Sequence, residues 1–277
     1  MKSFSSPPKI SILTPSYNQG QFIEDLIVSV IEQEYPNYEH IIIDGGSIDN
    51  TLEVLRKYDK KIIWESKPDA GQTDAVNKGW GKCTGDVVTW INADDWFEPG
   101  AFAVVMRCFA DHPEVNVVHG HWYDADVQRM HLKLKYIPQI TPTLLRRYCP
   151  GNVAMFFRRH VFEQCIPLDI SLQYAMDLEL LLKAVKAGAI FFHSGVPLAS
   201  MRRHPGQKGS RYVWGTLKES RIVLPSRYFG KPTVLDHLYL VRQWALSQIK
   251  IKFVDPIRSQ YRRKVRPLKE GKNYGSK

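Results

Sequence analysis

The chain has 277 residues, 44% hydrophobic content and a net charge of +10. That length suits one large domain, or one domain with an appendage. Its four cysteines, Cys83, Cys108, Cys149 and Cys165, form no C-x-x-C pair, which argues against a zinc site or disulfide framework and fits a reducing cytosol.

The first nine residues lack an apolar stretch of the kind a signal peptide carries. No charge-free apolar run has the length of a bilayer span. Charge is unevenly distributed. From Lys250 to Lys277, ten Lys or Arg stand against two acids, a net +8. The remaining body is therefore nearly neutral, and the basic character belongs to the tail.

Lys9 to Thr14 alternates and is rich in Ile, which predicts a strand. Pro15 to Gly20 has the residue types of a loop. Phe22, Ile23, Leu26, Ile27, Val30 and Ile31 then recur at helical spacing, predicting an amphipathic helix. Tyr38 to Ile43 is expected as a second strand, with a tight turn over Asp44-Gly45-Gly46-Ser47. Asp49 or Asn50 is placed to cap a short helix through Leu55. Lys61 to Glu65 is a third strand. Asp69-Ala70-Gly71-Gln72 turns into a helix carrying Ala75, Val76 and Trp80.

Val87 to Asn92 is a short apolar, β-branched run and reads as a buried fourth strand. It leads to two adjacent carboxylates, Asp94 and Asp95. Strands alternating with helices predict a mostly parallel sheet with right-handed crossovers. The loops after these strands then share one edge, where ligands of open α/β sheets collect. Two acids there suit a divalent cation, since Mg²⁺ typically takes one or two carboxylates plus substrate phosphates. The same pair also fits a polar turn, with Asp95 capping the helix that Pro99 opens. Neither G-x-G-x-x-G nor a P-loop occurs.

Four segments, in order, resemble family 2 glycosyltransferases of the GT-A fold. They are Thr14-Pro15-Ser16-Tyr17-Asn18, Ile43 to Thr51 (Ile-Asp-Gly-Gly-Ser-Ile-Asp-Asn-Thr), Asp69 to Gly79, and Asn92-Ala93-Asp94-Asp95. The resemblance covers roughly the first two-thirds of the chain. It implies a Rossmann-like, mostly parallel sheet flanked by helices, a nucleotide-sugar donor, usually a UDP-sugar, and inversion at the anomeric carbon. Carried onto these positions, Pro15, Tyr17 and Asn18 line the nucleotide pocket, and Asp44 accepts a hydrogen bond from the base. Asp74 helps hold the nucleotide or sugar. Asn92, Asp94 and Asp95 serve the ribose and a divalent cation, Mn²⁺ or Mg²⁺. The family's D-x-D usually begins with Asp. Asn92 can hydrogen-bond a ribose hydroxyl but is a poorer cation ligand. From residue types alone, Asp44 also fits a turn, and Asp74 a first-turn acid favoured by the helix dipole.

Asn116 to His121 reads as a strand, with His119 and His121 on one face, followed by Trp122 and Tyr123 as candidates for an acceptor pocket. No metal is assigned there. Cys149 to Asn152 is a loop, and Val153 to Phe157 a strand. Leu178, Leu181, Leu182 and Val185 mark a helix whose start holds Asp177. From residues alone Asp177 is a cap. The resemblance makes it the catalytic base, with Glu179 as fallback. Ala189 to His193 is a strand, and Met201 to Gly206 a donor-rich loop. There the family places groups that close over the diphosphate. Arg202 and Arg203 offer forks suited to phosphate, and His204 a donor or metal ligand.

Gly209 to Leu224 and Thr233 to Phe253 read as helices. The expected organisation is a GT-A domain over 1–230, with a nucleotide-sugar half to about 121 and an acceptor half from 122. An apolar helix and polybasic tail over 231–277 follow. Such a segment suits the inner face of an anionic membrane, and equally a helix packed on the domain with a disordered tail; the expectation is a cytoplasmic protein, peripheral to the membrane in the first case. Nucleic acid ranks below this, because the tail carries few aromatics and no binding motif. The sequence identifies neither the sugar nor the acceptor: a lipid-linked glycan, a polysaccharide and a protein all fit, and a glycan or lipid-linked acceptor is the one expected. The rivals are a nucleotidyltransferase and a non-catalytic binding module. Pro15 to Gly20 has no basic residue, unlike the phosphate loop expected of a nucleotidyltransferase.

Overall fold

The computed structural model describes residues 7–146, 148–208, 213–220 and 224–229, together with positions 234, 238, 241, 242, 244 and 245. The chain divides into two compact units, Met1–Arg211 and Tyr212–Lys277.

The first unit begins β1 (Ile10–Ser16), α1 (Ile23–Ile31), β2 (Tyr38–Asp44), α2 (Thr51–Lys57), β3 (Ile63–Ser66), α3 (Gln72–Trp80) and β4 (Val87–Trp90). It continues with β5 (Trp96–Phe97), α4 (Ala101–Asp111), β6 (Val117–Ala125), β7 (His131–Lys135), α5 (Pro142–Leu145) and β8 (Met155–Arg158). It closes with α6 (Arg159–Cys165), α7 (Met176–Lys186) and β9 (Phe191–Arg202). The second unit holds α8 (Val213–Lys218) and α9 (Leu224–Phe229).

The strands form one sheet in the order β3-β2-β1-β4-β8-β6-β9-β5, with β7 paired to β6. The section β3-β2-β1-β4 is parallel, joined by α1, α2 and α3. Every residue of β1 and β4 is buried, as strands covered on both faces must be. Gly79 of α3 packs directly on β1, where a Cβ would come within 2.1 Å of Leu13 Cδ1. The helix thus lies close against the strand only because no side chain intervenes.

Beyond β4 the sheet becomes mixed. β8 runs antiparallel to β4 and β6, while β6 and β9 are parallel. The larger core, which includes Ile10, Leu26, Phe97, Phe102, Phe156 and Leu198, spans both sections. A second cluster around Ile23, Ile27, Ile42, Val54 and Leu55 fills the other side of α1.

Three expectations are corrected. The strand expected over Ala189–His193 runs on to Arg202, pairing with β6 and β5, so Met201 and Arg202 are not in a loop. The extension passes an irregularity after His193, where Gly195 has φ 79°. The strand expected to reach Asn92 ends at Trp90. The β6–β7 hairpin and the two-residue β5 were not anticipated. Among the described residues, no helix is long and apolar enough to cross a membrane. The polybasic tail lies outside the described residues, as does most of the helix expected before it.

Candidate active site

The parallel register brings the loops after β1 and β2 together, since Ser16 pairs with Asp44, and Asp44 with Ser66. Side chains then stitch these loops. The Asn18 amide donates to Ser47 Oγ at 2.7 Å, and Ile48 N donates to Asn18 Oδ1 at 2.9 Å. Asn18 itself takes the left-handed conformation, φ 52°, which Asn tolerates better than most residues. Pro15 is buried within β1, whereas the Tyr17 ring is 56% exposed at the edge.

Asp44 is fully buried. Its Oδ2 accepts from Gly46 N (3.1 Å), Ser47 N (2.8 Å) and Ser66 Oγ (2.7 Å), and Oδ1 accepts from Ser47 Oγ. The carboxylate thus shapes the turn that holds Asn18. Asp74 accepts from Ala70 N at 3.0 Å and pairs with Lys78 at 2.8 Å. The Ala70 amide, then the Lys78 ammonium, hold its carboxyl below the usual range. In this geometry it acts as a first-turn acid of α3.

The turn after β4 separates its two acids. Asp94 is partly exposed, and its Oδ2 lies 3.0 Å from His204 Nε2. The His204 ring packs on Phe22 at 4.7 Å. Asp95 points the other way. It is buried, and its Oδ1 accepts from Arg202 N at 3.0 Å. Burial, and then the neighbouring Asp94 charge, push its carboxyl well above the usual value. The expectation that Asp95 ligates a cation is therefore corrected, because its oxygens face the protein interior. Asn92 Oδ1 accepts from Gln72 Nε2 at 2.7 Å, tying the turn to the start of α3.

Arg202 and Arg203 also differ. Arg202 is buried, and its guanidinium is consumed by Asp94 O, Val127 O and Asp25. Its expected role over a diphosphate is corrected on that ground. Arg203 is half-exposed, and its Nη2 donates to Asp124 Oδ1 at 2.7 Å.

Asp177 lies in the first turn of α7, its Oδ1 accepting from Leu178 N at 2.7 Å. A Cβ on Gly151 would sit 3.9 Å from Asp177 Oδ2 and 4.0 Å from Trp122 Cη2. The next residue, Asn152, donates to Trp90 O at 3.0 Å. The loop carrying Gly151 is thereby fixed to the end of β4, and it brings Asp177 to the edge that holds Asp94. Glu179 is buried, accepts from Asp169 N at 2.8 Å and pairs with Lys183 at 3.3 Å. It is unsuited to the fallback role of base.

Among the described residues, no group of three His, Cys, Asp or Glu is arranged to hold a metal ion. Asp94 and His204 do form two members of such a set. A carboxylate oxygen beside an imidazole nitrogen suits a first-row divalent ion whose remaining positions are filled by substrate phosphates. Sequence reasoning missed Gln72, Phe22, Gly151 and Asn152, which act by placing other groups. Gln72 lies inside one of the motifs, Gly151 and Asn152 in the loop read over Cys149 to Asn152, and Phe22 on the apolar face read for the first helix, but no signal gave any of them a role in the site.

These features define an α/β transferase fold with its site at the strands' carboxyl edge. The chain belongs to glycosyl transferase family 2, whose profile matches residues 11–163. It is 27% identical over 174 residues to an uncharacterized glycosyltransferase of Nostoc, covering 58% of this chain and 54% of that one. The chain thus spans about half the length of that relative. It is 28% identical over 188 residues to an uncharacterized glycosyltransferase of Mycobacterium tuberculosis, covering 65% and 70%. Over a shorter stretch of 93 residues it is 34% identical to the putative teichuronic acid biosynthesis glycosyltransferase TuaG of Bacillus subtilis, covering 32% and 36%.

Among solved structures, Staphylococcus aureus TarS 1–349 in complex with UDP shares the fold, with a TM-score of 0.60 at 15% identity over 80% of this chain and 66% of that one. The mannosyltransferase PcManGT of Pyrobaculum calidifontis, in complex with GDP-Man and Mn²⁺, gives 0.59 at 15% identity over 99% and 77%. The fold is of the GT-A type.

Proposed function

We propose that this chain transfers a sugar, with inversion, from a nucleotide diphosphate sugar to a hydroxyl of a glycan or lipid-linked acceptor. The donor is a UDP-sugar. The observation that carries this reading is the pairing of Asp94 with His204 at the strand edge, with Asp177 brought to the same edge by Gly151 and Asn152. Structures sharing the fold are complexes with UDP, UDP-GlcNAc, and GDP-Man with Mn²⁺, which supports a nucleotide-sugar donor.

In this reading Tyr17 offers its exposed ring to the base. Asp44 shapes the pocket wall through Ser47 and Asn18 instead of meeting the base itself. Asn92 binds a ribose hydroxyl, Asp74 steadies the α3 start, and Arg203 exchanges Asp124 for a phosphate oxygen. Asp94 and His204 would hold a divalent cation, which when bound would supply positive charge to offset that of the diphosphate. Asp177 accepts the proton of the acceptor hydroxyl. That oxygen forms a bond to the anomeric carbon, the bond from that carbon to the phosphate oxygen breaks, and its electron pair leaves with the diphosphate. Positioned proton transfer of this kind typically contributes about 10²–10⁴-fold.

The second unit supports attachment to an anionic membrane face on the cytoplasmic side. Val234, Leu238, Val241 and Trp244 are exposed at helical spacing, upstream of the basic tail. Calorimetric titration with UDP, with and without Mn²⁺, tests the donor reading. Mn²⁺-dependent binding is expected, and absence of UDP binding under both conditions contradicts it.

A further inference from the structure

The most elaborately held side chain beside the site is one that cannot reach a substrate. Arg202 ends β9, 1% exposed, yet its guanidinium donates in three directions, to one carboxylate and two carbonyls. Nε donates to Asp94 O at 2.9 Å, Nη1 to Val127 O at 2.7 Å and Nη2 to Asp25 Oδ2 at 2.6 Å. Its backbone N–H donates to Asp95 Oδ1, and its carbonyl accepts from Gln207 Nε2. The guanidinium lies 4.7 Å over the Phe22 ring and 4.8 Å over Trp96. Arg129, on the β6–β7 turn, adds a longer contact of 3.6 Å to Asp25.

We infer that Arg202 is the positioning residue of the Asp94 turn, acting through the Asp25–Arg202–Asp94 chain of contacts. It grips the turn from behind, through the carbonyl of Asp94 and the carboxyl of Asp95. Two residues further on, His204 meets the Asp94 side chain. The short segment from Arg202, the last residue of β9, to His204 therefore fixes both the backbone and the carboxylate of Asp94. A buried guanidinium is costly unless every donor is engaged. That expense is intelligible where a planar fork must hold two carbonyls and a carboxylate at fixed angles, which Lys does not reproduce. Groups that orient a ligating side chain typically affect metal affinity by about 10- to 100-fold when removed.

The functional consequence rests on the donor reading above, so the test includes a readout independent of it. Arg202→Lys keeps the charge and loses the fork. Asp25→Ala leaves Arg202 in the core and removes its carboxylate, and remains informative if the Arg202 variant does not fold. Amide hydrogen exchange is measured over residues 92–97 and over β1, β2 and β4, alongside Mn²⁺ affinity in the presence of UDP. The expected result is faster exchange confined to 92–97, with Mn²⁺ affinity about 10- to 100-fold weaker and UDP affinity without metal unchanged. Unchanged exchange in 92–97 in a folded variant, or exchange that rises uniformly through the sheet, overturns the inference. If the wild type binds no UDP–Mn²⁺ but the turn still loosens in the variants, the donor reading fails and the positioning role stands.

Discussion

His204 and Asp94 are separated by 110 positions in sequence, yet His204 Nε2 lies 3.0 Å from Asp94 Oδ2. Both side chains are largely shielded, at 10% and 15% exposure. The Phe22 ring from the start of α1 closes one side of the imidazole. A carboxylate and an imidazole held together in a shielded site interact more strongly than they would in bulk water.

Replacing Asp94 with Ala is expected to abolish Mn²⁺-stimulated UDP binding while the fold persists, because among the described residues the hydrogen bond its side chain makes is to the partly buried His204. His204→Ala is expected to weaken the same binding. Calorimetry with a circular dichroism control checks both. An Asp94→Ala variant that binds UDP–Mn²⁺ like the wild type contradicts the cation assignment.

Asp44→Ala is expected to act first on stability. The substitution strands the amides of Gly46 and Ser47 and the hydroxyls of Ser47 and Ser66. A buried polar group left unpaired costs about 1–3 kcal/mol, so thermal unfolding should shift down by several degrees. UDP affinity should fall as well, through the loosened Ser47–Asn18 contact. An unaltered melting curve would show that the turn does not depend on this carboxylate.

Much of this arrangement was legible in the sequence. The Ile-rich runs of β1 and β2 and the apolar run of β4 have no other stable place than a covered parallel sheet, so the strand-edge loops followed directly. Adjacent acids are another matter. Which of Asp94 and Asp95 faces the cleft depends on how the turn twists, and that is decided by Arg202, more than a hundred residues away. Arg202 itself sits in Met-Arg-Arg-His-Pro-Gly, a string with the composition of a solvated loop. Its burial is set by Asp25, Phe22 and Trp96, partners that local composition does not reveal. The edge strand β7, His-Leu-Lys-Leu-Lys, is largely exposed and so left little hydrophobic signal. Glu179 looked available for the same reason in reverse. It is buried and held by Asp169 N from the loop before α7, and by Lys183 one turn along the same helix.

Stability should fall in mild acid. Burial pushes His40, from the ordinary value of 6.5, down to about 3. Burial, followed by the nearby His193 and His121 imidazoles, does the same to His119. Between pH 6.5 and 3 the unfolded chain binds protons at these positions and the folded chain does not. The stability they contribute is therefore fully present above pH 6.5 and is lost as pH drops through that window, by up to about 1.4 kcal/mol per pH unit for each histidine. Denaturant midpoints at pH 7, 6 and 5 check this, and the slope should flatten in His119→Phe. A midpoint that rises towards pH 5 contradicts it.

Deleting residues 250–277 removes a net charge of +8 and is expected to release the protein from anionic vesicles. A basic residue near such a surface contributes about 1 kcal/mol. Co-sedimentation at increasing salt checks the outcome. Equal, salt-independent binding by the full and shortened chains contradicts the membrane reading.

Asp177→Asn is expected to leave UDP–Mn²⁺ binding intact and to remove transfer. Asn keeps the size of the side chain and the oxygen that accepts from Leu178 N, so α7 should persist. The loss should fall on kcat and not on donor affinity. Normal kcat in this variant would remove Asp177 from the role of base.

The central claim, that this chain breaks the bond between a sugar and a nucleoside diphosphate, is tested most directly by nucleotide release. Purified protein is incubated with a panel of UDP- and GDP-sugars, with Mn²⁺ and with chelator, and free nucleoside diphosphate is measured. Mn²⁺-dependent release of UDP from at least one UDP-sugar is expected, and is absent in Asp94→Ala. Folded protein that releases no diphosphate from any sugar nucleotide, or releases it equally with chelator and in Asp94→Ala, would contradict it.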